Sequence, residues 1–239
     1  MKKNKISKIA IFFNNTRGLK LSYFLKSKGF VIHNIVTKKF LNKEIISKLS
    51  KKNLRIINNL KSKKILSNIK QKKLDLIIAA GFPHKFKPKF FNICKFGIIN
   101  LHAGKLPIYR GGSPLVWQIL KNERKIGITI IKINNLLDGG DIICSTNFKN
   151  DKRFNIEMIQ NKANKLFLNL TLKAIKILEK NLPLTKQPYS KSYFKQRTDK
   201  DALINFNKSN NAVYNLVRAQ SAPYKGAFFF NNKKKFRLI

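Results

Sequence analysis

The residues whose types and spacing could do chemistry lie between Phe96 and Lys149. Asn100 and His102 end a short apolar run that predicts a buried strand. Positions i and i+2 of an extended segment point to the same side, so both side chains could face one pocket. An amide and an imidazole donate hydrogen bonds, and the carboxylate of Asp138 can accept a proton. These groups could therefore stabilise a developing negative charge and move a proton.

Acidic residues are scarce in this chain, which makes their placement informative. The 239 residues include 51 Lys and Arg but only 10 Asp and Glu, for a net charge of +41. Two of the ten acids, Asp138 and Asp141, lie in one four-residue turn. This placement indicates more than solvated surface. We interpret Asp141, which follows a Gly pair, as a structural residue that satisfies backbone donors in the turn.

The large positive charge has two explanations. It favours a partner rich in phosphate, such as a nucleic acid, a nucleotide-sugar or an anionic membrane surface. Compositional drift explains most of it more simply, because Lys, Asn and Ile are abundant and the Lys residues are spread along the whole chain. The charge alone therefore does not identify a partner.

Other classes of function receive little support from the composition. Cys94 and Cys144 lack metal or redox spacing and fit buried thiols in a reducing compartment. The three His residues are too scattered for a metal site, so we expect no metal. No signal peptide is evident, and no apolar stretch approaches the ~20 residues that a membrane span needs. We expect a cytoplasmic protein without a membrane partner.

Strands and helices alternate around the polar residues. The order β-α-β over residues 7–36 predicts parallel strands with a right-handed crossover. Residues 38–73 are predicted as two helices flanking a short strand near Leu54 to Ile57. The fold class is α/β, with a Rossmann-like, doubly wound, mostly parallel sheet. The turn after the first strand lacks the Gly-rich dinucleotide fingerprint, so a nicotinamide or flavin cofactor is not supported.

Ligands of doubly wound sheets bind at the carboxyl ends of the strands. The predicted strands at 74–80 and 96–101 would therefore end in one crevice, with the Asp138 turn as a third wall. After His102 we predict a loop, then a helix capped by Ser113 with Trp117 and Leu120 on its buried face. Strands at 127–133 and 141–148 would follow as a hairpin-like pair.

The remainder of the chain divides into a long helix and a small extension. An apolar stripe predicts a helix over residues 154–182, followed by a polar linker over 183–191. Ser209 would start a second helix carrying Val213, Leu216 and Val217, and a hairpin would turn at Asn231 and Asn232. We predict a catalytic domain over 1–182 and a C-terminal α+β extension over 183–239.

The ordered motifs NLHAGKLPIYRG, SPLVWQIL, GITI and LLDGGDII resemble the folate-dependent formyltransferases. The resemblance spans about residues 7–230 and is strongest over 76–143. It implies the formyltransferase fold and transfer of a formyl group from 10-formyltetrahydrofolate to an amine. The catalytic Asn-x-His of that family falls on Asn100 and His102, and its catalytic Asp falls on Asp138.

The resemblance also implies a folate site with two walls. One wall would be formed largely by backbone groups, because the side chains at 83–86 look unlike those of many relatives. His84 on its own is more simply a surface loop residue. The residues implied are Pro83, His84, Lys85, Phe86, Asn100, Asn134, Asn135, Leu136, Leu137 and Asp138.

The implied reaction is attack of a neutral amine on the formyl carbon, through a tetrahedral intermediate. The Asn100 amide and a protonated His102 would stabilise the oxyanion, each such donor being worth roughly 10²–10³ in rate. Asp138 would hold His102, favour its charged form and move the proton between the two nitrogens. Neither Cys lies at a catalytic position of the family, and none is needed.

Lys105, Tyr109 and Arg110 follow His102 and are the candidate substrate-binding residues. The guanidinium of Arg110 presents a rigid fork suited to a substrate diphosphate. It could instead pin the loop through carbonyl contacts, and the sequence does not choose between the two.

The acceptor amine is the open question. Because the C-terminal segment resembles enzymes that formylate nucleotide-linked amino sugars, a nucleotide-diphosphate amino sugar ranks first. Methionyl-tRNA is the alternative, which the net charge would suit, although tRNA-modifying relatives carry a full β-barrel domain where this chain has about one hairpin. Glycinamide ribonucleotide ranks below both, since the turn after the first strand is not Gly-rich. A basic, non-enzymatic module that only binds nucleic acid would leave the Asn–His–Asp set unexplained. The sequence is also compatible with a homodimer but does not require one.

Overall fold

A computed structural model describes residues 4–38, 47–49, 53–58, 60 and 63–238. The elements in chain order are β1 (Lys8–Phe12), α1 (Thr16–Ser27), β2 (Val31–Thr37), β3 (Leu54–Ile57), α2 (Lys63–Gln71), β4 (Leu76–Ala79), β5 (Ile98–His102), α3 (Pro114–Leu120), β6 (Lys125–Lys132), β7 (Ile142–Lys149), α4 (Ile156–Glu179), α5 (Asn210–Gln220), β8 (Ala227–Asn231) and β9 (Lys234–Leu238). Short 3₁₀ turns occupy Pro88–Phe90 and Asp199–Ala202.

The main sheet has seven strands in the order β3-β2-β1-β4-β5-β6-β7. Strands β1 to β5 pair in parallel, and β6 runs antiparallel to β5. The predicted mostly parallel α/β sheet is therefore confirmed. Strands β1 and β4 lie in the middle of this order, and their near-continuous apolar sequences fit burial on both faces.

Helix α1 begins at Thr16, three residues before the apolar spacing that predicted it at Leu19. The side chain of Asn15 caps it by accepting a hydrogen bond from the Gly18 amide at 3.4 Å. A Cβ on Gly18 would lie 2.1 Å from the Phe13 ring, so only Gly allows this close contact between helix and strand.

The region that was hardest to interpret from sequence is partly confirmed. The strand predicted near Leu54 to Ile57 is β3, and the helix predicted after it is α2. The helix predicted before β3 lies almost entirely outside the described residues.

The prediction for the start of α3 was wrong in two respects. Ser113 precedes Pro114 as expected, but it has a left-handed φ of 49° and makes no side-chain capping bond. The buried face consists of Leu115, Val116, Gln118 and Ile119, whereas Trp117 and Leu120 are half-buried. The Trp117 indole nitrogen donates to the Lys195 carbonyl at 2.9 Å, which explains why that side chain lies at the surface.

The chain forms two compact units that interleave along the sequence. The first comprises Met1–His102, Thr129–Cys144 and Leu166–Gln187, and the second comprises Ala103–Ile128, Ser145–Lys165 and Pro188–Ile239. The boundary between 182 and 183 stays a prediction about domains. None of the described helices is both long and apolar enough to cross a bilayer.

The first unit has an aromatic cluster in its core. Phe12 packs edge-on against Phe82 and Phe86, with ring centroids 5.2 and 5.1 Å apart. Phe86 continues the cluster to Phe90, which is fully buried. Burial of each of these rings stabilises the fold by roughly 1.5–3 kcal/mol. The cluster therefore fixes the segment that follows β4 to the core of the first unit.

The second unit is built on α3, α5 and the β8–β9 hairpin. Helix α5 begins after Ser209 as predicted, and the Ser209 hydroxyl accepts from the Ala212 amide at 3.4 Å. Its apolar side chains Val213, Leu216 and Val217 are half-buried, while Asn215, Arg218, Ala219 and Gln220 are buried. The hairpin is confirmed, with its turn one residue later than predicted, at Asn232 and Lys233.

Candidate active site

Strand β5 presents Asn100 and His102 from a position between two neighbouring strands. Asn100 is in register with Ala79 of β4 on one side and with Ile131 of β6 on the other. His102 is opposite Thr129 of β6. A strand paired on both sides is a rigid support, which suits side chains that must hold a fixed geometry.

The side chains of Asn100 and His102 converge on one carboxylate oxygen. Asn100 Nδ2 donates to Asp138 Oδ1 at 3.3 Å, and His102 Nδ1 lies 3.6 Å from the same oxygen. The imidazole is 5% exposed and the carboxylate 12% exposed, so water screens this group weakly. The structure thus brings together the three residues that the resemblance marked as catalytic, while their chemical roles stay a prediction.

A strained turn carries Asp138. Its φ of 48° lies in the left-handed region, which is uncommon for a residue other than Gly. A Cβ on the following Gly140 would lie 1.7 Å from the Lys132 carbonyl oxygen, so the turn sits directly against the end of β6. The Lys132 amide donates to the Asp141 carbonyl at 2.9 Å and closes the turn. The side-chain role predicted for Asp141 stays a prediction.

Two residues near the site were not singled out from the sequence. Arg17 Nη1 donates to the Leu101 carbonyl at 3.2 Å, next to His102 in the chain, and its guanidinium stacks over Phe167. Gln187 Nε2 donates to the carbonyl oxygens of Asp138 and Gly140. Their contacts are to backbone groups distant in sequence, and no local pattern could have indicated them.

The first of the two segments assigned to folate contains both core and surface residues. Phe86 is buried in the aromatic cluster, so its side chain belongs to the core. Pro83 and Lys85 are exposed, and His84 is half-buried with its ring edge-on to Phe82 at 5.4 Å. Residues 83–85, but not the Phe86 side chain, are therefore accessible to a ligand.

The second segment exposes apolar side chains beside a polar group. Leu136 and Leu137 are 42% and 45% exposed, directly before Asp138. Asn134 and Asn135 are exposed as well, and Asn134 Oδ1 accepts from the Leu136 amide at 2.9 Å. Exposed Leu side chains next to the Asp138 carboxylate form a partly apolar surface with a polar group beside it, which is common in ligand sites. Contact of this segment with folate stays a prediction.

The three candidate substrate-binding residues differ in their surroundings. Lys105 is exposed. Tyr109 is 2% exposed, and its hydroxyl donates to Glu123 Oε1 at 2.6 Å. Arg110 is 1% exposed and donates from Nη2 to the Pro188 carbonyl at 2.8 Å, which is the loop-pinning contact considered from sequence. Substrate binding by these residues stays a prediction, which the burial of Tyr109 and Arg110 does not favour.

Other chemically reactive groups are held in an inert state. Burial raises the pKa of the Cys94 thiol to about 12, helped by the Asp75 carboxylate, and burial raises the pKa of Cys144 to about 11. Neither thiol is a thiolate at neutral pH, and the thiolate is the nucleophilic form. Over the described residues, no three His, Cys, Asp or Glu side chains are placed to hold a metal ion.

The chain is similar to known proteins along most of its length. The chain matches the family described as formyl transferase over residues 32–175, and the family described as formyl transferase, C-terminal domain, over residues 197–239. The first match contains all three converging residues. A solved structure of a 4-N formyltransferase from Francisella tularensis superposes with a TM-score of 0.76 at 22% identity, covering 97% of this chain and 96% of that one.

Two curated relatives are more similar in sequence. The chain is 32% identical over 188 residues to the bifunctional polymyxin resistance protein ArnA of Wigglesworthia glossinidia brevipalpis, covering 75% of this chain and 27% of that protein. It is 31% identical over 164 residues to the methionyl-tRNA formyltransferase of Malacoplasma penetrans (strain HF-2), covering 68% and 51%. The chain thus spans about a quarter and about half of these relatives. The family match over residues 32–175, more than half of the chain, leads to one conclusion: the chain belongs to the formyl transferase family.

Proposed function

We propose that this enzyme transfers the formyl group to the amino group of methionyl-tRNA, with Asn100, His102 and Asp138 as its catalytic residues. The convergence of Asn100 and His102 on one oxygen of Asp138 supports the catalytic assignment. The acceptor is inferred separately, from the surface of the second unit and from the side chains that a diphosphate would need.

The chemistry of the three residues follows from their types. When bound, 10-formyltetrahydrofolate supplies a formyl carbon that is open to attack by an amine. Asn100 and His102 donate hydrogen bonds to the oxygen on which negative charge develops. Asp138 orients both donors, accepts the proton that the attacking nitrogen loses and returns it to N10 of tetrahydrofolate as the bond from N10 to the formyl carbon breaks. The low exposure of the imidazole and the carboxylate strengthens each of these interactions.

The residues that would hold the folate lie at two places in the first unit. The exposed side chains of Leu136 and Leu137 would contact the ring system, and the backbone of 83–85 would supply hydrogen bonds. Backbone recognition explains how this segment can differ in sequence from its relatives.

The second unit exposes aromatic and basic side chains together. Phe206 and Phe236 are 68% and 44% exposed, and Phe229, which pairs with Phe236 across the hairpin, packs against both. Lys208, Lys225, Lys233 and Lys234 are exposed in the same part of the chain. We call these residues the hairpin surface. Aromatic faces combined with Lys favour unpaired bases and phosphates of a nucleic acid.

The side chains first considered for a sugar diphosphate have other contacts. Arg110 is buried against the Pro188 carbonyl and Tyr109 against Glu123. This weakens the amino-sugar interpretation without removing it. The similarity to a methionyl-tRNA formyltransferase at 31% identity supports the tRNA interpretation, and the net charge of +41 suits a polyanion.

A nucleotide-linked amino sugar is the second candidate. The specific observation in its favour is the resemblance of the C-terminal segment to sugar-modifying formyltransferases. The exposed Lys105, which follows His102 closely in the chain, could contact a phosphate of such a substrate.

A direct assay separates the two acceptors. Purified protein is mixed with 10-formyltetrahydrofolate and either charged initiator methionyl-tRNA or a panel of dTDP-, UDP- and GDP-linked 4-amino sugars, and tetrahydrofolate release is followed by absorbance. We expect turnover with the tRNA. Turnover only with an amino sugar would overturn the tRNA proposal and establish the second candidate.

The hairpin surface provides a sharper test of the same proposal. Replacing Phe206 and Phe236 together by Ser should raise the KM for tRNA at least 10-fold and leave kcat nearly unchanged, since stacking is worth about 1–3 kcal/mol per base. Tyr189→Ser is the matched control, because Tyr189 is 71% exposed in the same unit but outside this surface. Equal KM values for the double variant and the control would contradict tRNA binding by the hairpin surface.

A further inference from the structure

Gln187 lies at the end of the last chain segment of the first unit. Two residues earlier, Thr185 forms an antiparallel bridge with Ile142 at the start of β7, with hydrogen bonds of 2.8 and 3.0 Å. This bridge fixes the backbone just before Gln187. The side-chain amide then reaches the Asp138 turn, where Nε2 donates to the Asp138 carbonyl at 3.0 Å and to the Gly140 carbonyl at 2.6 Å.

The Asp138 turn has an unfavourable backbone conformation, which hydrogen bonds from outside the turn can stabilise. Asp138 has a left-handed φ, a conformation that costs of order 1 kcal/mol or more for a residue with a side chain. The backbone carbonyls at 138 and 140 both point to the Gln187 amide. One NH₂ group with two protons satisfies both carbonyls and holds the ends of the Asp-Gly-Gly segment at a fixed spacing.

We infer that Gln187 is a positioning residue for the reaction: by holding the carbonyls of Asp138 and Gly140, its amide keeps the Asp138 carboxylate directed at Asn100 and His102. This inference rests on the proposed catalytic role of Asp138. A shift of the carboxylate by about 1 Å would disturb its contacts with both donors, and misplacement of that size can cost about 10²-fold in rate.

The chemistry of the contact makes Gln187→Glu the informative change. The variant keeps the shape of the side chain but replaces the donor by oxygen atoms, which two carbonyl oxygens repel. We expect kcat to fall about 10- to 100-fold, with the KM for the folate and the acceptor changed less than 3-fold. The melting temperature should fall by only a few degrees, because a single half-exposed contact is lost.

A matched control is available in Gln196, whose Nε2 donates to the Ser113 hydroxyl at 2.8 Å. Gln196→Glu makes the same chemical change at an exposed position in the second unit, where the amide donates to a hydroxyl of that unit. It should leave kcat within 2-fold of the native value. Equal losses in both variants would show that a carboxylate in this part of the chain is harmful in itself, and would overturn the inference.

A double-mutant cycle with Asp138→Asn tests whether Gln187 acts through Asp138. If it does, Gln187→Glu should reduce single-turnover formyl transfer in the native background and change it less than 2-fold in the Asp138→Asn background. Additive losses would show that Gln187 acts independently of Asp138 and would refute the positioning role. Full activity of Asp138→Asn alone would instead refute the proposed catalytic role of Asp138, on which the inference rests.

Hydrogen exchange supplies a readout that does not depend on turnover. In Gln187→Glu, backbone amides within residues 136–142 should exchange at least 10-fold faster than in the native protein, since the turn is no longer held. Unchanged exchange in this segment would show that the turn keeps its geometry without the Gln187 amide, and the inference would be wrong.

Discussion

Two groups of polar residues, Asn100–His102–Asp138 and Tyr109–Arg110, have different hydrogen-bond partners. In the Asn100–His102–Asp138 group, two side-chain donors meet one acidic side chain inside the first unit. In the Tyr109–Arg110 segment of the second unit, the polar atoms bond to Glu123 and to the Pro188 carbonyl. Both regions lie in the motifs that resemble the formyltransferases. Membership of a motif therefore does not by itself distinguish residues with a proposed catalytic role from residues that maintain the fold. The hydrogen-bond partners differ between the two regions.

The largest expected effect tests the first of these regions. His102→Asn should lower kcat by at least 10²–10³, because the imidazole donor to the developing oxyanion is lost. Folate affinity, measured by equilibrium titration, should stay within about 3-fold of the native value. A variant that retains most of its turnover would remove His102 from the mechanism and erase the contrast between the two regions.

A change at Arg110 tests the second region and should show the opposite pattern. Arg110→Met removes a buried donor to a carbonyl, so the free energy of unfolding should fall by about 1.5–3 kcal/mol. The kcat/KM of the folded enzyme should change less than 3-fold. Lys105→Met is the control, because its exposed side chain should leave stability unchanged. A large loss of kcat/KM at unaltered stability would instead assign Arg110 to substrate binding.

A smaller effect is expected from alkaline pH. Burial and the hydrogen bond to Glu123 raise the pKa of Tyr109, and burial raises the pKa values of Cys94 and Cys144 to about 12 and about 11. In the unfolded chain these groups ionise at lower pH. Their contribution to stability is therefore full below about pH 8.5 and is lost progressively as the pH rises toward 12.

Chemical denaturation between pH 8 and pH 11 measures this loss, and Tyr109→Phe provides its control. The variant should be less stable at pH 8 by about 1 kcal/mol, since one hydrogen bond is lost, and its stability should decline less steeply above pH 10. In the native protein at pH 8, both thiols should react slowly with a thiol reagent and rapidly after unfolding. Fast reaction without unfolding would show that the thiols are not buried in solution.

The parts of the site that sequence could predict are those with a local cause. Asn100 and His102 share a face because side chains of a strand alternate with period two, and β5 carries them as expected. The strands that flank β5 followed from their apolar runs. The scarcity of acids singled out Asp138, but its catalytic pairing with His102 came from the resemblance, because no local rule brings a turn 36 residues downstream of His102 back to its side chain.

The predictions that did not hold depended on contacts between distant residues. Ser113 is a favoured residue at helix starts, but its hydroxyl accepts from the Arg197 amide and the Gln196 side chain and does not cap α3. The sequence of residues 183–191 predicts a polar linker, yet the side-chain amide of Gln187 in this range donates a hydrogen bond to the Asp138 carbonyl. In both cases, contacts between segments far apart in sequence determine the hydrogen-bond partners of the side chain. Residue preferences at single positions do not predict them.

The strand that carries Asn100 and His102 is surrounded by isoleucine. Ile98 and Ile99 precede them, and Ile130 and Ile131 face them from β6, all nearly inaccessible to water. Isoleucine is favoured by β-strands and is also encoded by AT-rich codons. A bias toward AT-rich codons would therefore add lysine and asparagine at the surface and, at the same time, supply the strands around Asn100 and His102 with a residue that suits them.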